Sequence, residues 1–444
     1  MKRNPRKVIV EILEEIFENG AYSNIVLKKV AKSQDIDDLD KGLIYRIVYG
    51  VVENKIYLDY IIRKLSSVRL KKIDNKVLNI LRMSVYQINF MDKIPSFAVV
   101  NEAVKITKKY NGRYGAFVNG ILRNYLRNME KTNEIVSKNN MEYLSIKYSY
   151  PIWMIELFAS KFGENTESLL IGLNEEPKLV LRTNTLKIDR ESLIKRLESI
   201  GMSVKKSEIS SYGIIVDNLG SNNIDETEEY KKGYYYVQDE SSMLVAEVLD
   251  PKAGEKVLDL CSAPGGKTSH IAQVMNNQGQ IEARDVFDHK LDLMNDTFDR
   301  LGINIVNCKK EDGTVHNSDY DNYFDKVLVD APCSGLGIIK RKPEIKYNMT
   351  LESVKELSEL QYNILLNASK YVKDDGILVF STCTINDIEN INTVNKFLKE
   401  NSEFELVKIK FDSKEYDNIE MYPHEDNTDG FFICKLKKKK LSLS

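Results

Sequence analysis

The sequence predicts a multidomain chain: an all-α front, a small α/β module and a doubly wound α/β domain. Three observations carry this. The first ~140 residues repeat apolar side chains at helical spacing and are poor in Gly and Pro. Between about 150 and 245, short apolar runs alternate with one well-signalled helix. From Gly254 onward, apolar runs of strand length alternate with helical stretches of about 10–20 residues, the pattern of a mostly parallel sheet. The boundaries expected are 1–140, 141–245 and 246–438.

The elements follow in order. Ile9, Ile12, Leu13 and Ile16 fall on one face of a helix, and Val118, Ile121, Leu122 and Tyr125 repeat the spacing. Lys131 to Lys147 is polar and is expected to be a connector. Ser149-Tyr150-Pro151-Ile152-Trp153 opens the next unit and holds the single Trp. Leu179–Arg182 and Gly213–Val216 read as strands. Between them Asp189 caps a helix through Ile200 that Gly201 closes. Gly233–Val237 is a third strand, and Gln238-Asp239 precedes a helix through Val248. The strands expected beyond it are 256–260, 280–284, 304–308, 324–329, 376–381, 405–410 and 430–435. No long helix fits between the last two, so they are expected to form an antiparallel hairpin closing the sheet edge. Lys435–Lys440 is a charge run, expected to fray.

Composition narrows the class. The 444 residues are 42% hydrophobic and 29% charged, as in a soluble globular protein. No apolar run approaches the roughly 18 residues of a membrane span. The start, Met1-Lys2-Arg3-Asn4-Pro5-Arg6-Lys7, is basic, but Glu11, Glu14 and Glu15 follow on an amphipathic stretch, unlike a signal peptide. Five widely spaced cysteines point to a reducing cytoplasm. His270, His289, His316 and His424 are scattered, and no metal is expected. A monomer without membrane contact is expected.

Charge is unevenly placed. Residues 1–150 hold 27 Lys and Arg against 16 Asp and Glu, a net +11, while the remainder has 37 against 50, a net −13. A basic module joined to an acidic one suggests that the first binds a polyanion. A solvated lysine-rich helical surface is the alternative. Basic residues concentrate at Arg63–Lys76 and Lys105–Arg127, the second group interleaved with Tyr110, Tyr114 and Tyr125. Such interleaving suits RNA, although tyrosines at helical spacing also serve as core.

The chemistry centres on Asp259-Leu260-Cys261-Ser262-Ala263-Pro264-Gly265-Gly266-Lys267-Thr268. It follows the apolar strand Lys256-Val257-Leu258 and enters a helix from Thr268. A strand, a Gly-rich turn and a helix present backbone N–H groups to an anionic ligand. Asp285 follows about 20 residues later, where an acid binds ribose hydroxyls in doubly wound folds. The turn fits neither the dinucleotide nor the triphosphate pattern. A Gly-rich loop without a ligand is the alternative. Other strand ends bring Asp312, then Asp330-Ala331-Pro332-Cys333-Ser334-Gly335, then Ser381-Thr382-Cys383-Thr384. Either cysteine alone reads as a small buried hydrophobe. Two of them beside a ligand turn and an acid point to chemistry. A thiolate can add to an electron-poor carbon and later leave. Pyrimidine C5 becomes nucleophilic once a thiolate adds at C6, so it can accept a methyl group. A second thiol can help remove the C5 proton, and an acid can hold the base.

These motifs resemble the RNA cytosine-5 methyltransferases of the Sun/Nol/Nop group. The resemblance rests on 259–268, 330–335, Ser381–Thr384 with Glu389-Asn390, and Asp429-Gly430-Phe431-Phe432. Arg69-Leu70-Lys71-Lys72-Ile73 and Ala116–Arg123 resemble a NusB-like RNA-binding domain. Together they make the chain similar to the RsmB-type 16S rRNA methyltransferases over residues 5–435. The resemblance implies a Rossmann-like class I methyltransferase domain and S-adenosylmethionine as cofactor. Cys261, Ser262, Ala263, Pro264, Gly265, Gly266 and Lys267 would line that cofactor. Asp285 would hold its ribose, Asp312 would sit near its adenine, and Asp330 would lie between it and the base. It further implies that Cys383 is the nucleophile and that Cys333 assists release. DNA cytosine-5 methyltransferases place their nucleophile in a Pro-Cys motif like Pro332-Cys333, so spacing alone does not separate the two roles. The loop Lys340-Arg341-Lys342-Pro343-Glu344 is less arginine-rich than in the family, and Tyr347 stands where Trp is common. Both departures bear on RNA contact. A NusB-like RNA-binding scaffold with an inactive fold is an alternative, as is action on tRNA or large-subunit rRNA. The intact cysteines, Asp330 and Gly265-Gly266 favour the enzyme.

Overall fold

The computed structural model describes residues 3–440, so Met1 and Lys2 of the basic start lie outside the described residues. The chain divides into two compact units. One runs up to Glu175 and takes in Ile339–Leu351, and the other comprises Glu176–Ile338 and the chain from Glu352 onward.

The first unit is helical. Pro5–Asn19 buries Ile9, Ile12, Leu13 and Ile16, and Gly115–Arg127 buries Val118, Ile121, Leu122 and Tyr125. These faces join one core with Asp38–Glu53, Lys55–Leu65, Asn75–Phe90 and Ser96–Tyr110. Met129–Asn133 and Asn140–Tyr148 are helices that overlap the stretch expected to be a connector. The helix 140–148 has only a short apolar set, Leu144 and Ile146, which lacks the repeated spacing that marks a helix in sequence.

Ile339–Leu351 packs within this helical unit. Ser23 donates its N–H and hydroxyl to Glu344 at 3.0 and 2.8 Å. The Lys346 ammonium donates to the carbonyls of Glu53 and Tyr148, each at 3.3 Å, and to Asn174 at 2.8 Å. Burial drives the pKa of Lys346 down to about 7 against the pull of Glu53. Tyr347 meets Phe17 edge-on at 6.2 Å. Glu344, in the loop whose departure from the family bears on RNA contact, and Lys346 beside it are buried groups of the helical unit.

The second unit holds two sheets. In the small one β1 (Leu179–Thr183), β2 (Ser203–Lys206), β3 (Gly213–Asn218) and β4 (Tyr235–Val237) lie antiparallel in the order β2-β3-β1-β4. β2 carries no strand signal in the sequence, because three of its four residues are exposed. Helix Arg190–Ser199 starts at Asp189, whose carboxylate accepts from Ser192 N–H.

The large sheet contains β5 (Lys256–Asp259), β6 (Gln280–Asp285), β7 (Val306–Lys310), β8 (Phe324–Asp330) and β9 (Val372–Thr382), parallel in the order β9-β8-β5-β6-β7. Continuous apolar runs such as Val327-Leu328-Val329 suit strands buried on both faces. Helices 240–249, 266–274 and 288–301 contribute to the core on one face, and helix 351–371 to that on the other.

The C-terminal strands depart from the expected hairpin. The segment 405–410 splits into β10 (Phe404–Leu406) and β11 (Ile409–Phe411), and β11 pairs with β12 (Lys414–Tyr416) away from the large sheet. β13 (Asn418–Met421) and β10 pair with successive halves of β14 (Phe431–Lys438), whose other side pairs antiparallel with β9. β14 is therefore interior. Lys435–Lys438, expected to fray, form its second half. No described helix is long and apolar enough to cross a membrane.

Candidate active site

In a doubly wound sheet ligands meet the carboxyl ends of the strands. Here β9, β8, β5 and β6 stand side by side, so the chain turns that follow them share one rim. After β5, the N–H and hydroxyl of Ser262 both reach the carbonyl of Arg284 at 2.9 Å, tying the turn to β6. Gly265 takes φ 92°, a left-handed conformation open to glycine, and donates its N–H to the Ser262 carbonyl at 2.7 Å. Helix Gly266–Val274 begins there. Cys261, Ala263, Pro264 and Lys267 complete the turn, with Pro264 exposed and Cys261 half-buried.

One brace of this turn had no signal in the sequence. Arg182, on β1 of the small sheet, is buried and donates to the Gly266 carbonyl at 2.6 Å and to Ser269 at 2.8 Å. Burial drives its pKa down to about 9.

The acids divide into distinct environments. The Lys267 ammonium lies 2.6 Å from Asp330, and the Ser381 hydroxyl donates to the other oxygen of Asp330 at 2.8 Å. Asp285, at the end of β6, accepts from Phe287 N–H at 3.2 Å and pairs with Lys290 at 3.4 Å. Asp312 lies two residues past β7, exposed, accepting from the Thr314 N–H and hydroxyl at 2.9 and 2.7 Å. Those bonds hold its carboxyl below the ordinary range. Asp259 is wholly buried. Desolvation raises its pKa to about 7, and Asp330 adds to the rise, although the Thr268 hydroxyl donates to it at 2.6 Å.

The two cysteines meet. β8 and β9 run parallel with Asp330 opposite Ser381, so the loops beyond them leave the sheet together. Cys333 Sγ lies 3.2 Å from Cys383 Sγ. The hydrogen bond to Cys383, burial and the negative charges of Cys383 and Glu389 all raise the Cys333 thiol. Gly337 N–H donates to the Cys383 carbonyl at 3.0 Å, and Gly430 N–H to the Gly337 carbonyl at 2.8 Å. A Cβ on Gly337 would lie 2.1 Å from the Gly430 oxygen, a close approach that explains both glycines.

Buried polar groups underlie these loops. Glu389 accepts from the N–H and hydroxyl of Ser334, from Gln361 at 2.9 Å and from Asn386 at 2.6 Å. Asn390 accepts from Thr382 at 2.5 Å and donates to the Thr384 carbonyl at 3.0 Å. Gln361 sits on helix 351–371 among ordinary helix formers, and no motif marks it. Of the other cysteines, burial and the nearby carboxylates push up the Cys261 thiol, and burial raises Cys308 to about 11. Neither is poised as a nucleophile. Among the described residues no group of His, Cys, Asp and Glu is arranged to hold a metal ion.

On the helical unit Arg69, Lys71, Lys72, Lys105, Lys108, Lys109, Arg113, Arg123 and Arg127 are exposed. Tyr110 is exposed and donates to Asp74 at 2.9 Å, whereas Tyr125 is core.

Three segments of the chain match known families. Residues 246–437 match the family described as 16S rRNA methyltransferase RsmB/F, residues 3–127 the NusB family, and residues 150–221 an RsmF/B-like, ferredoxin-like domain. A Bacillus subtilis (strain 168) protein named probable ribosomal RNA small subunit methyltransferase B is 36% identical over 450 residues, spanning 99% of each chain. The chain belongs to the ribosomal RNA small subunit methyltransferase B family. It is accordingly a methyltransferase with a NusB domain in front. The crystal structure of PH0851 matches 99% of this chain and 100% of its own, with TM-score 0.81 and 30% identity. The structure of NSun6 from Pyrococcus horikoshii with SFG matches 65% of this chain and 98% of its own, with TM-score 0.58 and 25% identity.

Proposed function

We propose that this methyltransferase transfers a methyl group from S-adenosylmethionine to C5 of a cytosine in 16S rRNA. The observation that carries the reading is the pair Cys333 and Cys383, sulfurs 3.2 Å apart, on loops leaving neighbouring strands beside the Lys267–Asp330 ion pair. The names of the small-subunit methyltransferase B relatives support rRNA as substrate. SFG, an analogue of S-adenosylmethionine, supports the cofactor.

The donor chemistry of the strand ends fits that cofactor. Residues Cys261–Lys267 offer a helix N-terminus for its carboxylate. Asp285 offers a carboxylate for its ribose hydroxyls, with Asp312 toward the adenine. S-adenosylmethionine supplies an electrophilic methyl group on a sulfonium. The rest is the work of side chains. The Cys383 thiolate bonds to C6, and the C5=C6 pair shifts to C5, which takes the methyl group. Asp330, fixed by Lys267 and Ser381, holds the base. In release the C5 proton passes to Cys333 while Cys333 returns its own proton to the departing Cys383 sulfur. The C5–H pair re-forms C5=C6 and the C6–S bond breaks. Cys383 then loses a proton to water. Residues 1–140 act as the RNA-binding domain, 141–245 as a connecting module and 246–438 as the catalytic domain of a cytoplasmic monomer.

The test is a denaturing gel of variants mixed with 16S rRNA and cofactor. Cys383→Ala is expected to give neither turnover nor adduct. Cys333→Ala should methylate once and stall as a slow protein–RNA band, and Asp330→Ala should lose activity without trapping. An adduct from Cys383→Ala with none from Cys333→Ala would reverse the roles. Bisulfite sequencing of total RNA with and without the protein tests the substrate. A cytosine that changes only in tRNA or large-subunit rRNA overturns the 16S assignment.

A further inference from the structure

Cys333 sits on a loop, yet the backbone on both of its sides is gripped from below. The Pro332 carbonyl, just before it, accepts from the Gln361 amide at 2.9 Å. The Ser334 N–H, just after it, donates to Glu389 at 2.8 Å. The same Gln361 amide nitrogen donates to Glu389 at 2.9 Å, so the two grips are one unit. Gln361 and Glu389 are both wholly buried.

The unit also reaches the second thiol. The Ser334 and Thr384 hydroxyls meet at 2.9 Å, and Thr384 directly follows Cys383. Asn386 donates to the Thr384 hydroxyl at 2.8 Å and to Glu389 at 2.6 Å, while Glu389 N–H donates to the Asn386 side chain at 3.0 Å. A buried carboxylate is costly unless its lone pairs are filled. Four donors fill those of Glu389: Ser334 N–H, Ser334 hydroxyl, Gln361 and Asn386. None of these four is a rim cation. Both cysteine loops thus converge on one buried acid.

We infer that Glu389 and Gln361 are positioning residues that fix the Cys333 thiol against Cys383, and that the release step depends on them. The dependence of release rests on the roles proposed for the two thiols, but the fixing of the sulfur pair does not. The charge of Glu389 also contributes to keeping the proton on Cys333. Of the two thiols, addition at C6 requires Cys383 alone, whereas release requires Cys333 within reach of the departing sulfur. A shift of Cys333 by about 1 Å costs a reaction step on the order of a hundredfold.

Glu389→Gln keeps the volume and turns one acceptor oxygen into a donor facing donors. Gln361→Leu removes the amide and carries the same expectation should Glu389→Gln fail to fold. Two readouts are taken on the full-length protein. The first is binding of a trivalent arsenical, which bonds two neighbouring thiols with loss of water, and Cys333→Ala serves as the one-thiol control. Either variant should lose most of the wild-type arsenical affinity. The second is the fate of 16S rRNA with methyl-labelled S-adenosylmethionine. A single round of methyl transfer should survive, multiple turnover should fall about a hundredfold, and the covalent adduct should accumulate as it does in Cys333→Ala. A merely structural role would lower methyl transfer in step with the folded fraction and leave no adduct. Wild-type arsenical binding and wild-type turnover in both variants would overturn the inference. Weakened arsenical binding with no adduct even in Cys333→Ala would uphold the positioning and overturn the thiol roles instead.

Discussion

Asp259 closes β5 with its carboxyl wholly buried, and desolvation there favours the protonated form. One oxygen accepts from Thr268 at 2.6 Å, but its other oxygen has no hydrogen-bond partner. The Asp330 charge lies near enough to disfavour ionisation, and Lys267 offsets that in part. The pKa rises from 3.8 to about 7. Below the unfolded value both states carry the proton, and the contribution of Asp259 to stability is fully present. As pH climbs toward 7 the unfolded chain ionises and the fold does not, so that stability is lost. At 1.36 kcal/mol per pH unit the loss reaches roughly 4 kcal/mol by neutral pH. Asp259→Asn cannot ionise and should flatten this fall. The assay is proton release on denaturation in guanidinium at about pH 5.5, which counts protons whatever the number of unfolding steps. Wild type should release about one proton more than Asp259→Asn. Equal release from the two would refute a protonated Asp259 and the desolvation argument behind it.

Other outcomes follow from the same geometry. Gly337→Ala sets a Cβ 2.1 Å from a backbone oxygen and should cost roughly 1–3 kcal/mol, read as a lowered Tm; an unchanged Tm would refute the close packing. A hundredfold excess of S-adenosylmethionine over Kd should add about 2.7 kcal/mol of stability, and Asp285→Ala should weaken that gain. No thermal shift with wild type would remove the cofactor assignment. Affinity for 16S rRNA should fall steeply with salt, and replacing Arg69, Lys71 and Lys72 together by Glu should shallow the slope, which filter binding at graded salt measures. An unchanged slope would take these residues out of the RNA contact.

Much of the catalytic domain could be read before any fold was known. Val257-Leu258 and Val327-Leu328-Val329 are continuous apolar runs because parallel strands are buried on both faces. The turn after Asp259 and the two cysteine motifs stand at strand ends, so their positions on the rim followed from the strand pattern alone. The helical front was legible for the same reason, with Ile9, Ile12, Leu13 and Ile16 on one buried face. β2 and helix 140–148 were not, since neither presents a sustained periodic apolar face.

What the sequence by itself determined is the set of candidate groups: a glycine turn, acids and two thiols, each written in a short local motif. The tertiary structure decided which distant groups serve them. Arg182 reaches Gly266 across 84 residues, Gln361 reaches Pro332 and Glu389 from a helix without a motif, and β14 enters between β9 and β10. Lys346, so close in sequence to the cysteine loop, spends its charge on acceptors at Glu53, Tyr148 and Asn174. Local patterns record burial and turn geometry, which depend on neighbours in the chain. A buried hydrogen bond is settled only when the fold brings its two partners together, and neither partner alone carries a mark of the other.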